Sequence, residues 1–148
     1  MYRHILIATD GSELATKGVQ HGLTLAGSLK ARATVLTVSE PVSTGFDDAL
    51  GWSAVATSLP DFQKAREDAA RKVLDAVTVQ AQQAGVTPQL LHVADRYAAE
   101  AIVDTAEREG CDLIVMASHG RRALGRLLLG SQTSEVLARC GVPVLVIR

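Results

Sequence analysis

The chain has 148 residues, 47% of them hydrophobic and 21% charged, with a formal net charge of −1. That length suits one domain with an ordinary core, and the near-neutral balance excludes a bulk basic field for nucleic acid. No apolar run reaches the ~20 residues of a membrane span. MYRHILIATD lacks a signal peptide's long apolar region and cleavage site, so a cytoplasmic single domain over residues 1–148 is expected, without nucleic-acid or membrane partners.

Ile5 to Ala8 is a compact apolar run that predicts strand one. Thr9-Asp10-Gly11-Ser12 supplies turn and capping residues, with Ser12 placed to cap the next helix. Leu14/Ala15, Gly18/Val19, Gly22, Leu25/Ala26 and Leu29 recur at helical spacing, and that helix is expected to end near Lys30. Ala33 to Val38, rich in β-branched residues, predicts strand two. From Ser39 to Pro60 periodicity fails, and the stretch, with Phe46 and Trp52, reads as a long irregular segment, either a lid or a plain connection. Asp61 is placed to cap a long helix with an apolar stripe of Phe62, Ala65, Ala69, Val73, Ala76/Val77 and Ala84, ended by Gly85. Leu90 to Val93 predicts strand three. Tyr97 to Glu109 predicts a third helix, buried through Ala98, Ile102 and Ala106 and stopped by Gly110. Leu113 to Met116 predicts strand four, a fourth helix runs through Val136, Leu137 and Cys140, and Val142 to Ile147 predicts strand five.

Strands alternating with helical crossovers imply an α/β fold: three layers around an open, parallel, five-stranded sheet. Right-handed crossovers leave few topologies, among them strand order 3-2-1-4-5. In that order the loops leaving strands one and four diverge and open a crevice at a topological switch point, where ligands bind in such sheets. Cys111 and Cys140 each sit beside a strand and read as small buried hydrophobes rather than a disulfide. His4, His21 and His92 are scattered, without the helical pair spacing of a metal cage.

The segment after strand four carries Ala117-Ser118-His119-Gly120-Arg121-Arg122, then Gly130-Ser131 at the start of helix four. Strand, glycine loop, helix, strand is the grammar of an α/β phosphate site. A P-loop is excluded, because Arg126-Leu127 follow Gly125 where lysine and a hydroxyl are required, and no Gly-x-Gly-x-x-Gly occurs. Gly120 and Gly130 are expected to bare backbone N–H groups to phosphates, Ser131 to add a hydroxyl, and Arg121 and Arg122 to reach a γ-phosphate. Asp10, acidic beside an anion site, fits a ribose hydroxyl or a Mg²⁺ ion. Plain structural readings stand beside these: Asp10 as a turn residue bonding its own backbone, Gly130-Ser131 as a helix start, the arginines as a solvated pair. His119 has no nucleophile paired with it at a recognisable spacing, so it reads as a phosphate-neighbouring loop residue and no catalytic residue is assigned.

Gly120, nine residues, then Gly130-Ser131, with IATDGSE at Ile7–Glu13 and VPVLVIR at Val142–Arg148, resembles the universal stress protein family over the whole chain. The family's ATP-binding branch carries Gly-x-x-Gly, nine residues, then Gly-Ser or Gly-Thr; Gly120, Gly130 and Ser131 match, and Ala117 stands at the first glycine. The resemblance implies one universal stress protein domain with a Rossmann-like, adenine nucleotide alpha hydrolase-like fold. It implies a small homodimeric stress-response regulator that binds ATP, ADP or AMP. The nucleoside would lie by Ala8, Thr9 and Asp10, with Val38 meeting adenine through its backbone. Met116, Ala117, His119, Gly120, Arg121 and Arg122 from one lip, and Gly130, Ser131, Gln132 and Thr133 from helix four, complete the implied binding set. Strand five, with Val142, Val144 and Val146, would pair with its copy, covering an apolar edge that is otherwise an aggregation hazard. An interaction protein that has lost nucleotide binding and a slow ATPase using the same site are the alternatives. Ala117 costs roughly 1 kcal/mol if the family glycine is there for a positive φ. It displaces the ligand by about an ångström if the glycine is there for close approach, and is harmless if neither holds.

Overall fold

The computed structural model describes residues 1–41, 49–120 and 128–148, without the side chains of residues 49–58. In chain order the elements are β1 (His4–Ala8), α1 (Glu13–Leu29), β2 (Arg32–Ser39), α2 (Ala49–Ala84), β3 (Gln89–Ala94), α3 (Ala98–Glu109), β4 (Leu113–Ala117), α4 (Ser131–Arg139) and β5 (Val144–Ile147). They build one parallel sheet of order β3-β2-β1-β4-β5. The register puts Ile7 of β1 opposite Val35 on one side and Val115 on the other.

The central strands β1 and β4 are buried along their whole length. Their side chains alternate between two cores, as the two-residue period of a strand requires. Ile5, Ile7, Val35, Leu113 and Val115 face α1 and α2, meeting Val19, Leu23, Val77 and Ala81. Leu6, Leu36, Ile114 and Met116 face α3 and α4, meeting Ile102, Ala106 and Val136. Ile5, Leu6, Ile7 and Ile114 are fully buried, and such burial contributes about 1.5–3 kcal/mol per side chain. Gly22 of α1 packs close over β1: a Cβ there would lie 2.6 Å from Ile7 Cδ1.

Local signals set the element ends. Ser12 Oγ accepts a bond from the Ala15 N–H at 3.3 Å, capping α1 as expected. Gly110 ends α3 with φ +66°. Lys30 ends α1 in the same left-handed conformation, φ 54°, and its N–H donates to the carbonyls of Ala26 and Gly27. At the opposite end of the sheet, the Asp112 carboxylate accepts from the N–H groups of Arg3 and His4 at 2.9 and 3.0 Å, tying the start of β1 to the start of β4. Both cysteines are free. Burial first, then the charges of Glu109 and Asp112, pushes the Cys111 thiol up to about 11, so it stays protonated in its core position.

Three sequence expectations are corrected. The segment from Ser39 to Pro60 is not irregular throughout: α2 begins at Ala49 and runs through Pro60, so Asp61 is not its cap. Leu59 to Phe62 are exposed, and Pro60 inside the helix forgoes one backbone bond, at a cost of about 3 kcal/mol. Phe46 lies outside the described residues, as does the side chain of Trp52. The buried face of α2 is Ala70, Val77 and Ala81 with Leu74 and Ala84 beside them, whereas Phe62 is 54% exposed. β5 starts at Val144 rather than Val142; Pro143 still accepts a bond from the Ile114 N–H at 3.0 Å before regular pairing begins.

Among the described residues no helix is long and apolar enough to cross a membrane.

Candidate functional site

The C-terminal ends of β1 and β4 lie side by side at the switch point of the sheet, and the chain leaves them in opposite directions. Past β1, Gly11 takes φ +77° and its N–H donates to Thr9 Oγ1 at 3.2 Å. Asp10 Oδ1 accepts from the Ser12 N–H at 2.9 Å, so the turn reading of Asp10 holds. This bond also fixes where its second oxygen points. A Cβ built on Gly120 would lie 2.5 Å from Asp10 Oδ2, so Gly120 and Asp10 are in near contact although 110 residues apart in sequence. Gly120 has no positive φ; close approach is what requires glycine there.

Past β4, the Ser118 backbone holds the other lip together. Its N–H donates to Ile147 at 2.8 Å and its carbonyl accepts from Gly130 at 2.7 Å. A Cβ on Gly130 would meet His119 Cα and Ser118 O at 3.2 Å. Gly130 is therefore a close-packing residue whose N–H is already engaged, and the expectation that it bares that N–H to a phosphate is corrected. Among the described residues, the open N–H groups at this helix start are those of the next three residues. Ser134 makes the first intrahelical bond of α4, to Gly130 O, and the N-cap glycine carries no side-chain cap. The N–H groups of Ser131, Gln132 and Thr133 are thus left without intrahelical acceptors at the positive end of α4. The Thr133 hydroxyl donates to Ala117 O at 2.9 Å and seats this helix start on the end of β4.

These segments enclose a crevice of about 120 Å³. It brings together Ala8, Thr9, Asp10, Val38, Met116, Ala117, His119, Gly120, Gln132 and Thr133 of the set expected from sequence. Ser131 is exposed at the head of α4. Arg121 and Arg122 lie outside the described residues. His119 Nδ1 is 3.3 Å from the Gly120 carbonyl. Ala117 ends β4 opposite Ile147 and has no positive φ, which removes backbone strain as a consequence of alanine there. Among the described residues no group of three or more His, Cys, Asp or Glu side chains is placed to hold a metal ion. A Mg²⁺ at Asp10 would take most of its ligands from phosphate oxygens and water.

Sequence reasoning missed the crevice's inner wall and its far rim. Ala15, Leu36, Ala98 and Ile102 line the wall. Ala98 and Ile102 already fell on the apolar stripe of α3, which was the available signal. The rim is a polar chain with no local signal. Glu40 Oε1 accepts from Gln132 Nε2 at 3.1 Å and from the Ala98 N–H at 3.4 Å, and Gln132 Oε1 accepts from the Ala99 N–H at 3.0 Å. Arg66 of α2 donates to the Glu40 carbonyl and to Asp95 Oδ1.

A larger hollow of about 470 Å³ lies at the other end of the sheet, among His4, Lys30, Arg32 and Gln89. Its buried histidine is engaged on both ring nitrogens, with Thr34 Oγ1 at 2.8 Å and the Glu109 carbonyl at 3.1 Å. It sits beside the C-terminal ends of α1 and α2, where the helix dipole is negative. The crevice, not the hollow, combines open donors with the switch point.

The strand order opens a crevice at the switch point, the place where ligands bind in open α/β sheets. The chain belongs to the universal stress protein family, whose sequence model matches residues 1–148. It is 33% identical, over the full length of both chains, to the universal stress protein in the QAH/OAS sulfhydrylase 3′ region of Thermus aquaticus. Universal stress protein MJ0577 of Methanocaldococcus jannaschii is 32% identical over 158 aligned residues, covering all of this chain and 96% of that protein. The solved structure of MJ0577 superposes with a TM-score of 0.78 at 27% identity, covering 99% of this chain and 96% of that one. A universal stress protein crystallised in complex with cAMP shares the fold, with a TM-score of 0.73, 22% identity and coverage of 99% and 97%.

Proposed function

We propose that this chain binds an adenine nucleotide, ATP or AMP, in the crevice between β1 and β4 and acts as a homodimeric stress-response regulator. One observation carries the reading. The Asp10 carboxylate and Gly120 meet across the crevice, and the uncapped start of α4 faces the same opening. Backbone N–H groups at a helix start favour phosphate. The apolar wall of Leu36, Val38, Ile102 and Met116 suits a flat base. The phosphates lie over Ser131, Gln132 and Thr133, and Asp10 takes a ribose hydroxyl or Mg²⁺. β5 at the sheet edge, with Val144 and Val146 half-buried and Val142 just before it, is the dimer surface.

The test is calorimetric titration of Mg-ATP into the wild type and Gly130→Val. A branched side chain there must push back the His119 and Ser118 backbone and so misplace the start of α4. ATP affinity is expected to fall by at least about tenfold, ~1.4 kcal/mol. Unchanged affinity in a folded variant places the phosphates elsewhere.

A further inference from the structure

The first turn of α4 has open N–H groups at Ser131, Gln132 and Thr133, and its N-cap, Gly130, has no side chain to hold it. An uncapped helix start frays, so its donors stay aligned only where something else fixes the turn. Two side chains do so. The Thr133 hydroxyl donates to Ala117 O at 2.9 Å and ties the turn to the end of β4. On the other side the Gln132 amide is bonded at both of its ends. Its Oε1 accepts from the Ala99 N–H at 3.0 Å, and its Nε2 donates to Glu40 Oε1 at 3.1 Å.

Glu40, half-buried just past β2, is itself held in place. Its Oε1 also accepts from the Ala98 N–H at 3.4 Å, and its carbonyl accepts from Arg66, which pairs with Asp95 at 3.0 Å. The end of β2 and the first turns of α3 and α4 therefore meet around one amide group. Gln132 lines the crevice, whereas Glu40 stands behind it. The same bonds close the first two N–H groups of α3, whose N-cap Tyr97 makes no side-chain bond. Of the two helix starts at the crevice, that of α4 is left the more open to an anion.

Resting on the nucleotide reading above, we infer that Gln132 is the positioning residue of the phosphate subsite, and that Glu40 acts through it as a hydrogen-bond acceptor rather than as a charge. Donors aligned in advance bind an anion without the cost of ordering them. Once the Gln132 amide is released, the ligand must order the turn itself, and the phosphate contributes less to binding. The sign separates this role from electrostatics. A carboxylate near an anion repels it, so losing Glu40 through charge alone would tighten a phosphorylated ligand. Losing it as the anchor of Gln132 weakens that ligand.

The experiment titrates adenosine and AMP into the full chain and into Gln132→Leu, Glu40→Ala, Glu40→Gln and the double variant Gln132→Leu/Glu40→Ala. The ratio of the two affinities reads the phosphate's share, and a general loss of stability leaves it in place. The wild type is expected to bind AMP at least about tenfold more tightly than adenosine. Gln132→Leu and Glu40→Ala should each bring that ratio to within about threefold, and the double variant should lose no more than about a further twofold, because the two side chains act as one unit. Glu40→Gln keeps an acceptor oxygen for both donors and should retain most of the ratio. A ratio unchanged or raised in Glu40→Ala, or one lost equally in Glu40→Gln and Glu40→Ala, overturns the inference and leaves the nucleotide site standing. Should Gln132→Leu fail to fold, the two Glu40 variants, which lie outside the crevice lining, decide alone. Wild-type AMP binding no tighter than that of adenosine removes the phosphate subsite and this inference with it.

Discussion

Gly120 and Asp10 sit so close that a single methyl group on the first would fall 2.5 Å from Oδ2 of the second. The atom that would be struck is the end of an exposed side chain, so the fold can yield while the crevice cannot keep its shape. Gly120→Ala should rotate Asp10 and break its bond to the Ser12 N–H. We expect a loss of about tenfold in ATP affinity with a melting temperature within about 2 °C of the wild type. Calorimetry beside a thermal melt checks both. A large loss of stability with unchanged affinity would contradict the role given to Asp10.

Gly22→Ala should behave in the opposite way. Its Cβ would lie 2.6 Å from both Ile7 Cδ1 and Cγ1, and Ile7 is fully buried. No solvent-side rotamer relieves that overlap, so the α1–β1 packing must open. Such overpacking costs about 1–3 kcal/mol. Urea denaturation should show a lower midpoint; no change would mean that the Ile7 site can repack freely.

Asp112 makes stability depend on pH with a definite sign. Partial burial raises the pKa of its carboxyl, but the N–H groups of His4 and Arg3 together outweigh this, and the group lies below the usual carboxylate range. A depressed folded value means the stabilisation is complete above the unfolded carboxyl's ~pH 4 and is lost as pH falls through the folded value. Asp112→Asn should therefore melt below the wild type at pH 7, by about 1 kcal/mol for solvent-accessible bonds. The gap should close in acid. A gap independent of pH would contradict the assignment.

The edge strand is the place to test assembly. Val146 lies in β5 opposite Met116 of β4, with the far side of the strand unpaired among the described residues. Lysine on a sheet edge blocks strand-to-strand association. Val146→Lys should convert the expected dimer to monomer in sedimentation velocity while leaving ATP affinity within about twofold. A dimer that survives the substitution would refute the β5 interface.

Most of the architecture was legible because it rests on local signals. The apolar runs at Ile5 and Leu113 and the helical spacing after Glu13 each write their element into neighbouring residues. Ser12 and Gly110 act as caps through bonds a few residues long. Lys30 was legible only as an approximate helix end, because a left-handed lysine has no compositional mark. The start of α2 was hidden by Pro41, Gly45, Gly51 and Pro60, which read as breakers although α2 carries the last two. At the crevice, the sequence pointed to the loops that line it but misjudged one N–H group. Gly130 looked like a bare N–H, yet that group bonds Ser118, a contact set by how the loop folds back. Glu40 and Gln132, 92 residues apart, could not be paired by any spacing rule, since only the completed sheet brings the end of β2 beside the start of α4.

The most direct measurement is an amide NMR titration of the full chain with ATP. Ser131, Gln132 and Thr133 at the head of α4, with Asp10 and Gly120 across from them, should show the first and largest shifts. Shifts centred instead on Lys30, Arg32 and Gln89, around the larger hollow at the opposite end of the sheet, would contradict the account.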